Sequence, residues 1–205
     1  EIHALAKRFL RETGDILETL RARLVAAHDL GKATTTADLH AYLNKKYAVK
    51  VPDGRLEGIL ERYQEERARI LSFIAERDLF PVPEDQDMTI IRTPDFMAPS
   101  IPAGAMLPPP AFRAGVRRSL VYLTLSEDLM DEHTELGIPT MMVHEGIPGH
   151  HLQLSHAAAH ASVIRRHSVA NEQAEGWTTM LEDFMLDQGY ASEHGDEVRF
   201  VAKRD

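Results

Sequence analysis

The chain has 205 residues, and 43% of them are hydrophobic, an ordinary fraction for a globular protein that buries a core. The formal net charge of −9, from 32 acidic and 23 basic residues, argues against a nucleic-acid partner because phosphate binding favours a basic face. Cysteine is absent, which excludes disulfides and thiolate metal sites, and no apolar run approaches the ~20 residues that cross a bilayer, so we expect no membrane span.

Both ends of the sequence suggest a segment of a longer protein. It begins at Glu1 without an initiator methionine, and it ends in a stretch that resembles an interrupted helix. We therefore expect that flanking segments of a parent chain are missing, and the cellular compartment stays open.

Residues 1–80 are predicted to form a helical hairpin or bundle. Apolar residues between Leu5 and Leu24 recur at the spacing of one face of a long helix. A second, short helix is expected after the threonines at positions 34–36, capped by one of them. A third is expected to begin near Pro52 and to end before Pro81, because proline interrupts a helix.

Residues 81–205 are predicted to carry the chemistry. We expect two short strands, over residues 88–93 and 119–125, separated by a loop rich in proline and glycine that should contain no regular element. A helix is expected over residues 127–136, and helical patterns resume from Pro139. The predicted fold class is therefore mainly α with a small β-sheet.

The segment HEGIPGHHLQ, residues 144–153, contains the histidine–glutamate pair of a zinc helix, but its spacing is unusual. Two zinc-binding histidines usually lie four residues apart, because positions i and i+4 share one face of a helix. His144 and His150 are six apart and would point ~120° away from each other on a regular helix. His151 would lie ~10 Å further along the axis than His144, which is too far for one ion.

Pro148 and Gly149 argue against a regular helix at this point. Pro148 lacks an N–H and clashes with the carbonyl of His144, and Gly149 tolerates backbone angles that are closed to other residues. A break at this pair could swing the His150 imidazole back over His144. The spacing therefore predicts a zinc site only if the helix is broken.

A zinc hydrolase needs a third protein ligand and an open fourth position. The segment NEQAEGWTTMLEDFM supplies Glu172, Glu175 and Glu182 on one predicted helix, with Trp177 on its apolar side. Glu175 and Glu182 are seven residues apart and share a face, so one could reach the ion while the other orients a histidine. Glu145 adjoins the first ligand and is the predicted general base, which would take the proton of a zinc-bound water.

The block HEGIPGHHLQ followed by EGWTTMLE resembles the bacterial family called domain of unknown function 885. Members of that family carry an HE-x-x-PGHHLQ block and a later EGW-x-x-x-x-E block. The family in turn resembles the gluzincin metallopeptidases, including the thimet oligopeptidases and the Taq-type carboxypeptidases. The resemblance covers roughly residues 88–185 and implies a helical, zincin-like fold, a Zn²⁺ cofactor and hydrolysis of peptide bonds.

The resemblance also selects among the candidate ligands. In the gluzincin relatives the third glutamate lies about 25 residues after the second histidine, and Glu175 lies 25 residues after His150 (175 − 150). This match favours His144, His150 and Glu175 as the metal ligands over His151 and Glu172. Those relatives also place tyrosine or histidine residues that stabilise the transition state further downstream, beyond the end of this chain.

Further side chains are expected to surround the ion or the substrate. Glu182 and His151 are candidates for contacts with the ligands or with substrate, and Tyr122 is a candidate for contact with substrate or transition state. Strand residues 121–125 could form an exposed edge to which a peptide adds. The guanidinium groups of Arg113 and Arg117, with Arg118 beside them, could hold a terminal carboxylate.

The sequence thus predicts a zinc-dependent metallopeptidase, carboxypeptidase-like or oligopeptidase-like, acting on a peptide or small amide substrate. Two alternatives stay open. The first is a truncated or non-catalytic metal-binding helical domain, in which His151 or Glu172 completes a closed shell of four protein ligands. The second is a helical interaction module whose histidines bind no metal.

Overall fold

The computed structural model describes residues 1–51, 55–112, 115–126, 133–168 and 170–204. Its α-helices, numbered α1 to α8, are Ile2–Ala27, Thr36–Lys46, Glu57–Arg77, Gly137–Met141, His150–Ala159, Val163–His167, Asn171–Asp187 and Gly195–Arg204. Its strands, β1 to β3, are Gln86–Arg92, Gly104–Leu107 and Arg117–Leu123. The predicted fold class, mainly α with a small β-sheet, is confirmed.

The first three helices follow the sequence signals closely. The predicted threonine cap of α2 is Thr35, whose hydroxyl accepts a hydrogen bond from the Asp38 N–H while the Asp38 carboxylate accepts one from the Thr35 N–H. The predicted start of α3 near Pro52 lies outside the described residues, and α3 ends at Arg77 before a left-handed Asp78.

The sheet differs from the prediction in two ways. Its strand order is β1-β3-β2, with β3 parallel to β1 and antiparallel to β2. The proline- and glycine-rich segment was predicted to be irregular, and this is wrong: the stretch between Pro102 and Pro108 contains no proline, so it offers the unbroken backbone groups that β2 needs. Strand β3 is central, so the prediction that residues 121–125 form an exposed edge is also wrong.

One apolar core joins the two predicted regions of the chain. Leu20 and Ile70 from residues 1–80 belong to the same buried cluster as Val121, Val143 and Phe200. Helix α1 packs on α8, and α3 packs on β1 and on the segment that carries His144. The predicted helix over residues 127–136 lies mostly outside the described residues. Among the described helices, none is both long and apolar enough to cross a bilayer.

A buried ionic cluster fixes the position of α3. The Glu66 carboxylate is fully buried and pairs with Arg62 at 2.9 Å and Arg69 at 2.7 Å, and the Tyr190 hydroxyl donates a hydrogen bond to it. Burial and the neighbouring Glu66 charge raise the pKa of Tyr190. Because both arginines and the tyrosine converge on one buried carboxylate, its loss would leave two guanidinium groups short of a partner.

We expect Glu66→Gln to destabilise the protein by about 3 kcal/mol, since two arginines and the Tyr190 hydroxyl lose their shared buried carboxylate, although Arg62 keeps Glu135 and Arg69 keeps Glu193. Chemical denaturation followed by circular dichroism would measure the change in the free energy of unfolding. Glu65→Gln is the matched control, because Glu65 is the exposed neighbour on the same helix, and it should change stability by less than about 0.5 kcal/mol. Equal effects of the two variants would contradict the role assigned to Glu66.

Candidate metal centre

The helix that carries His144 is broken where the sequence predicts. Residues Met142–Gly146 form a π-helical turn, the peptide bond between Ile147 and Pro148 is cis, and α5 begins afresh at His150. A π turn is wider than an α turn and is common at functional sites. The break separates the two halves of the HEGIPGHHLQ segment, so the histidines no longer follow the geometry of one straight helix.

Gly149 is the residue that permits this break. A Cβ atom at position 149 would overlap the carbonyl oxygens of His144 and Val143. Every residue other than glycine carries that atom, so the backbone could not pass so close to the preceding turn. The close approach brings His150 back beside His144, with their ring centroids 4.9 Å apart and their planes at 84°.

Three predicted ligands converge at this point. The Glu175 carboxylate lies 3.5 Å from Nε2 of His144 and 3.6 Å from Nε2 of His150. One ligand atom from each of the three residues lies within 4.8 Å of the other two. Ligand atoms bonded to one tetrahedral zinc ion at ~2.1 Å lie about 3.4 Å apart, and two histidines with a glutamate are a known ligand set for catalytic zinc. The donor set and spacing therefore fit Zn²⁺ with only small movements of the side chains.

Helix α7 carries the predicted third ligand, Glu175, and a residue that holds the ring of the predicted first ligand, His144. Glu182 lies two turns after Glu175 on the same face, and its Oε1 is 2.7 Å from Nδ1 of His144. A proton on Nδ1 can be donated to Glu182, which leaves Nε2 of His144 directed at Glu175. Burial alone would lower the pKa of His144, but the Glu182 hydrogen bond and the charges of Glu182, Glu145 and Glu175 raise it.

His150 lies in a different electrostatic setting from His144. Burial lowers the pKa of His150, the nearby His144 lowers it further, and Glu175 only partly opposes them. The neutral imidazole is the form that binds a metal ion. Its Nδ1 atom is buried and has no hydrogen-bond partner among the described residues.

Glu145 lies beside the cluster with its carboxylate largely removed from water. Burial raises its pKa, as does the Glu175 charge, whereas His144 and a hydrogen bond from the Met106 backbone N–H oppose the rise. Met106 lies on β2, opposite Val121, in a pair that directs its backbone groups to the free edge of the sheet. The free edge of β2 therefore runs past the predicted general base.

A cleft of about 650 Å³ opens beside these groups. His144, Glu145 and Glu182 form part of its wall, and other lining residues come from α3, α4, α7, α8 and the segment before α4. No sequence pattern predicted that Tyr63, His133 and Arg204 line this cleft. None of the three belongs to a recognisable motif, and they reach the cleft only through the packing of distant elements.

His151 belongs neither to the cluster of His144, His150 and Glu175 nor to the wall of the cleft. Its ring is buried, with Nδ1 2.6 Å from the Ser119 hydroxyl and Nε2 2.5 Å from Oε1 of Gln86. Burial, with the Arg67 charge, lowers its pKa to about 4. The prediction that His151 contacts metal ligands or substrate is therefore wrong, because adjacent residues on α5 point in different directions and His151 faces the sheet.

Arg117 and Tyr122, the other described candidates for substrate contact, lie on strand β3. Arg117 pairs with Asp85, so a substrate carboxylate would have to compete with that ion pair, and the role of Arg117 stays a prediction. Tyr122 lies on the face of the sheet opposite to Ser119, which contacts α5. Arg113 lies outside the described residues.

Trp177 secures the break from the α7 side. Its indole N–H donates a hydrogen bond to the Pro148 carbonyl at 3.1 Å, and its ring contacts Phe80 edge-on at 6.4 Å between centroids. The apolar pattern of α7 predicted the packing of Trp177, but no sequence signal indicated its hydrogen bond to the broken segment.

The site and the fold define a mainly helical protein with a histidine–glutamate cluster suited to a divalent metal. The sequence profile of the bacterial protein family of unknown function DUF885 matches residues 1–202, and the chain belongs to that family. Among curated proteins, none matches.

Two solved structures share the fold. A crystal structure from Colwellia psychrerythraea, described as a "putative lipoprotein", is 20% identical with a TM-score of 0.78, over 95% of this chain and 32% of the other. A "putative lipoprotein of unknown function" from Shewanella oneidensis is 14% identical with a TM-score of 0.74, over 98% of this chain and 37% of the other. The chain therefore spans about a third of the length of these proteins.

We expect Gly149→Ala to destabilise the protein by about 3 kcal/mol or more and to abolish metal binding, because the added methyl group forces the backbone away from His144. Thermal unfolding and elemental analysis of zinc after dialysis would measure the two effects. Gly176→Ala is the matched control: it adjoins Glu175 on α7, a Cβ there meets open space, and helix propensity should make it neutral or slightly stabilising. Full zinc content in the Gly149→Ala variant would show that the close approach is dispensable.

Proposed function

We propose that this chain carries the metal centre of a zinc-dependent hydrolase that acts on a peptide or related amide bond. The observation that supports this proposal is the convergence of His144, His150 and Glu175 beside the largely buried carboxylate of Glu145. The resemblance of the family's sequence blocks to those of gluzincin metallopeptidases supports the same reaction class. The fold shared with the two solved structures does not bear on the activity.

His144, His150 and Glu175 would hold the ion, and Glu182 would keep the His144 ring in place. Zinc, when bound, supplies a Lewis acid that polarises a carbonyl and makes a water molecule more acidic. Glu145 would accept the proton of the attacking water and return it to the leaving amine. The raised pKa of Glu145 suits the first task, because a carboxylate with a higher pKa is a stronger proton acceptor.

The free edge of β2 offers a place for the substrate backbone. Gly104 and Met106 direct their backbone groups away from β3, because hydrogen-bonded and non-bonded pairs alternate along an antiparallel ladder. The Met106 N–H already bonds to Glu145, so Gly104 is the position at which an extended peptide could add. The edge of β2, and not residues 121–125, would then be the place where a peptide adds as an extra strand.

The geometry favours a hydrolytic metal centre over a closed structural one. A closed shell would need a fourth protein ligand, and the two candidates were His151 and Glu172. His151 has both ring nitrogens bonded to Ser119 and Gln86, and Glu172 is absent from the described cluster that could hold a metal. A fourth position left to water is the arrangement that catalytic zinc requires.

We expect the full chain to bind one zinc ion, and Glu175→Gln to weaken binding by at least about 100-fold, because an amide replaces an anionic ligand. Competition with a chromophoric chelator would measure the affinity. Glu172→Gln is the matched control on the same helix and should bind zinc like the unmodified chain. Equal losses in both variants, or the absence of stoichiometric zinc in the unmodified chain, would refute the ligand assignment.

We expect Glu145→Gln to retain zinc and to lose peptide hydrolysis by about 10²–10⁴-fold, the usual contribution of a general base. The measurement is hydrolysis of a quenched fluorescent peptide mixture by the zinc-loaded full-length parent protein. Glu65→Gln, on the exposed side of α3, is the control for the effect of removing a carboxylate. Unchanged turnover in the Glu145→Gln protein would remove Glu145 as the base.

A further inference from the structure

A second cavity, of about 870 Å³, lies between α5, α6, the start of α7 and the segment Pro108–Pro110. We call it the basic cavity, because Arg165, Arg166, His160 and His167 line it. Among the described residues that line it, none is acidic. This is unusual in a chain with a formal charge of −9.

The basic cavity continues from the metal cluster along the same two helices. On α5, Gln153 and Ala157 line it, and they lie one and two turns after His150 on the same face. On α7, Ala174 lines it and immediately precedes Glu175. At a rise of 1.5 Å per residue, the part of the cavity wall formed by Gln153 and Ala157 lies about 5 to 10 Å beyond His150 along the α5 axis, and the residues of α6 line the cavity next to it.

Arg165 and Arg166 form no ion pair with any described carboxylate, whereas Arg117 and Arg118 pair with Asp85 and Asp87. The Nε atom of Arg166 is buried and has no hydrogen-bond partner among the described residues. An unpartnered buried donor is costly, and Arg166 also lines the cavity, where an anion can pair with the charge of its guanidinium.

Further polar groups in the cavity can also donate hydrogen bonds. Nδ1 of His160 accepts a hydrogen bond from the Ser162 N–H, so the ring proton of neutral His160 is on Nε2. Oε1 of Gln153 is buried without a partner, and a half-turn of this amide presents its NH₂ group at the same place. Phe112 supports the wall, with the Arg166 guanidinium 5.7 Å from its ring centroid.

We propose that the basic cavity binds a carboxylate of the substrate, two or three residues from the bond that is cleaved. The position follows from the distance of about 5 to 10 Å and the ~3.4 Å that each extended residue spans. This inference rests on the proposed hydrolytic function. The carboxylate can be the C-terminus of a short peptide or the side chain of an acidic residue, and both present the same group to Arg165 and Arg166.

The test is calorimetric titration of zinc-loaded Glu145→Gln protein, in which hydrolysis is suppressed, with three acetylated tetrapeptides. The first is tetra-alanine with a free C-terminal carboxylate, the second is its C-terminal amide, and the third is the amide with glutamate at the third position. We expect at least one carboxylate peptide to bind about tenfold more tightly than the neutral amide, and the preference to shrink as salt rises. Which one binds more tightly identifies the source of the carboxylate.

Variants of the two arginines make the assignment specific. Arg165→Gln with Arg166→Gln should reduce the affinity of the preferred peptide to that of the neutral amide, and Arg165→Gln alone, at an exposed position, should give a partial loss. Arg77→Gln is the matched control, because Arg77 also lies over a phenylalanine ring, that of Phe73, but far along the chain from the cavity. Equal affinities for all three peptides, no binding of any, or equal losses in the Arg77→Gln protein would overturn the inference.

The outcome is separable from that of the metal centre. Stoichiometric zinc without a carboxylate preference would overturn the role of the basic cavity and leave the hydrolase proposal intact. A carboxylate preference in an unmodified chain that binds no stoichiometric zinc would support the cavity and refute the hydrolase proposal.

Discussion

The site depends on how closely the backbone at Gly149 passes the carbonyl oxygens of Val143 and His144. On a straight helix His144 and His150 would point to different sides, and no choice of rotamer would bring both to one ion. The break in the helix redirects the backbone so that the two rings lie side by side. The break lies at Gly149, a position that only glycine can occupy. The convergence of the candidate metal ligands therefore depends on the shape of the chain between them.

A broken helix leaves backbone groups without intrahelical partners, and the surrounding structure must hold both halves. Trp177 binds the Pro148 carbonyl from α7, and His151 attaches the start of α5 to the sheet through Ser119 and Gln86. Helix α7 also supplies Glu175 and Glu182, so the element that secures the break is the one that completes the cluster. His151 is thus a structural neighbour of a ligand, although its sequence position made it look like a ligand itself.

The sequence predicted those features of the fold and the site that depend on residues close together in the chain. The break at Pro148 and Gly149, the cap at Thr35 and the spacing of Glu175 and Glu182 all follow from residues close in sequence. Contacts between distant segments could not be predicted in this way. The ion pair between Arg117 and Asp85 joins β3 to the residue that precedes β1, and these are distant in sequence. The central place of β3 depends on a partner strand, β2, which its glycine- and proline-rich surroundings concealed.

The charges on the two sides of the cluster differ, and under the proposed function this difference would orient a bound peptide. Glu145 and Glu182 face the cleft beside β2, whereas Arg165 and Arg166 face the basic cavity. A short peptide carries a positive amino terminus and a negative carboxyl terminus, so the field of these groups favours placing its carboxyl end in the basic cavity. Under the proposed function, an extended backbone in that orientation would cross the cluster with its scissile carbonyl next to His144 and His150. His144 and His150 would then lie between the cleft, which would bind the amino-terminal part of the peptide, and the basic cavity, which would bind the carboxyl-terminal part.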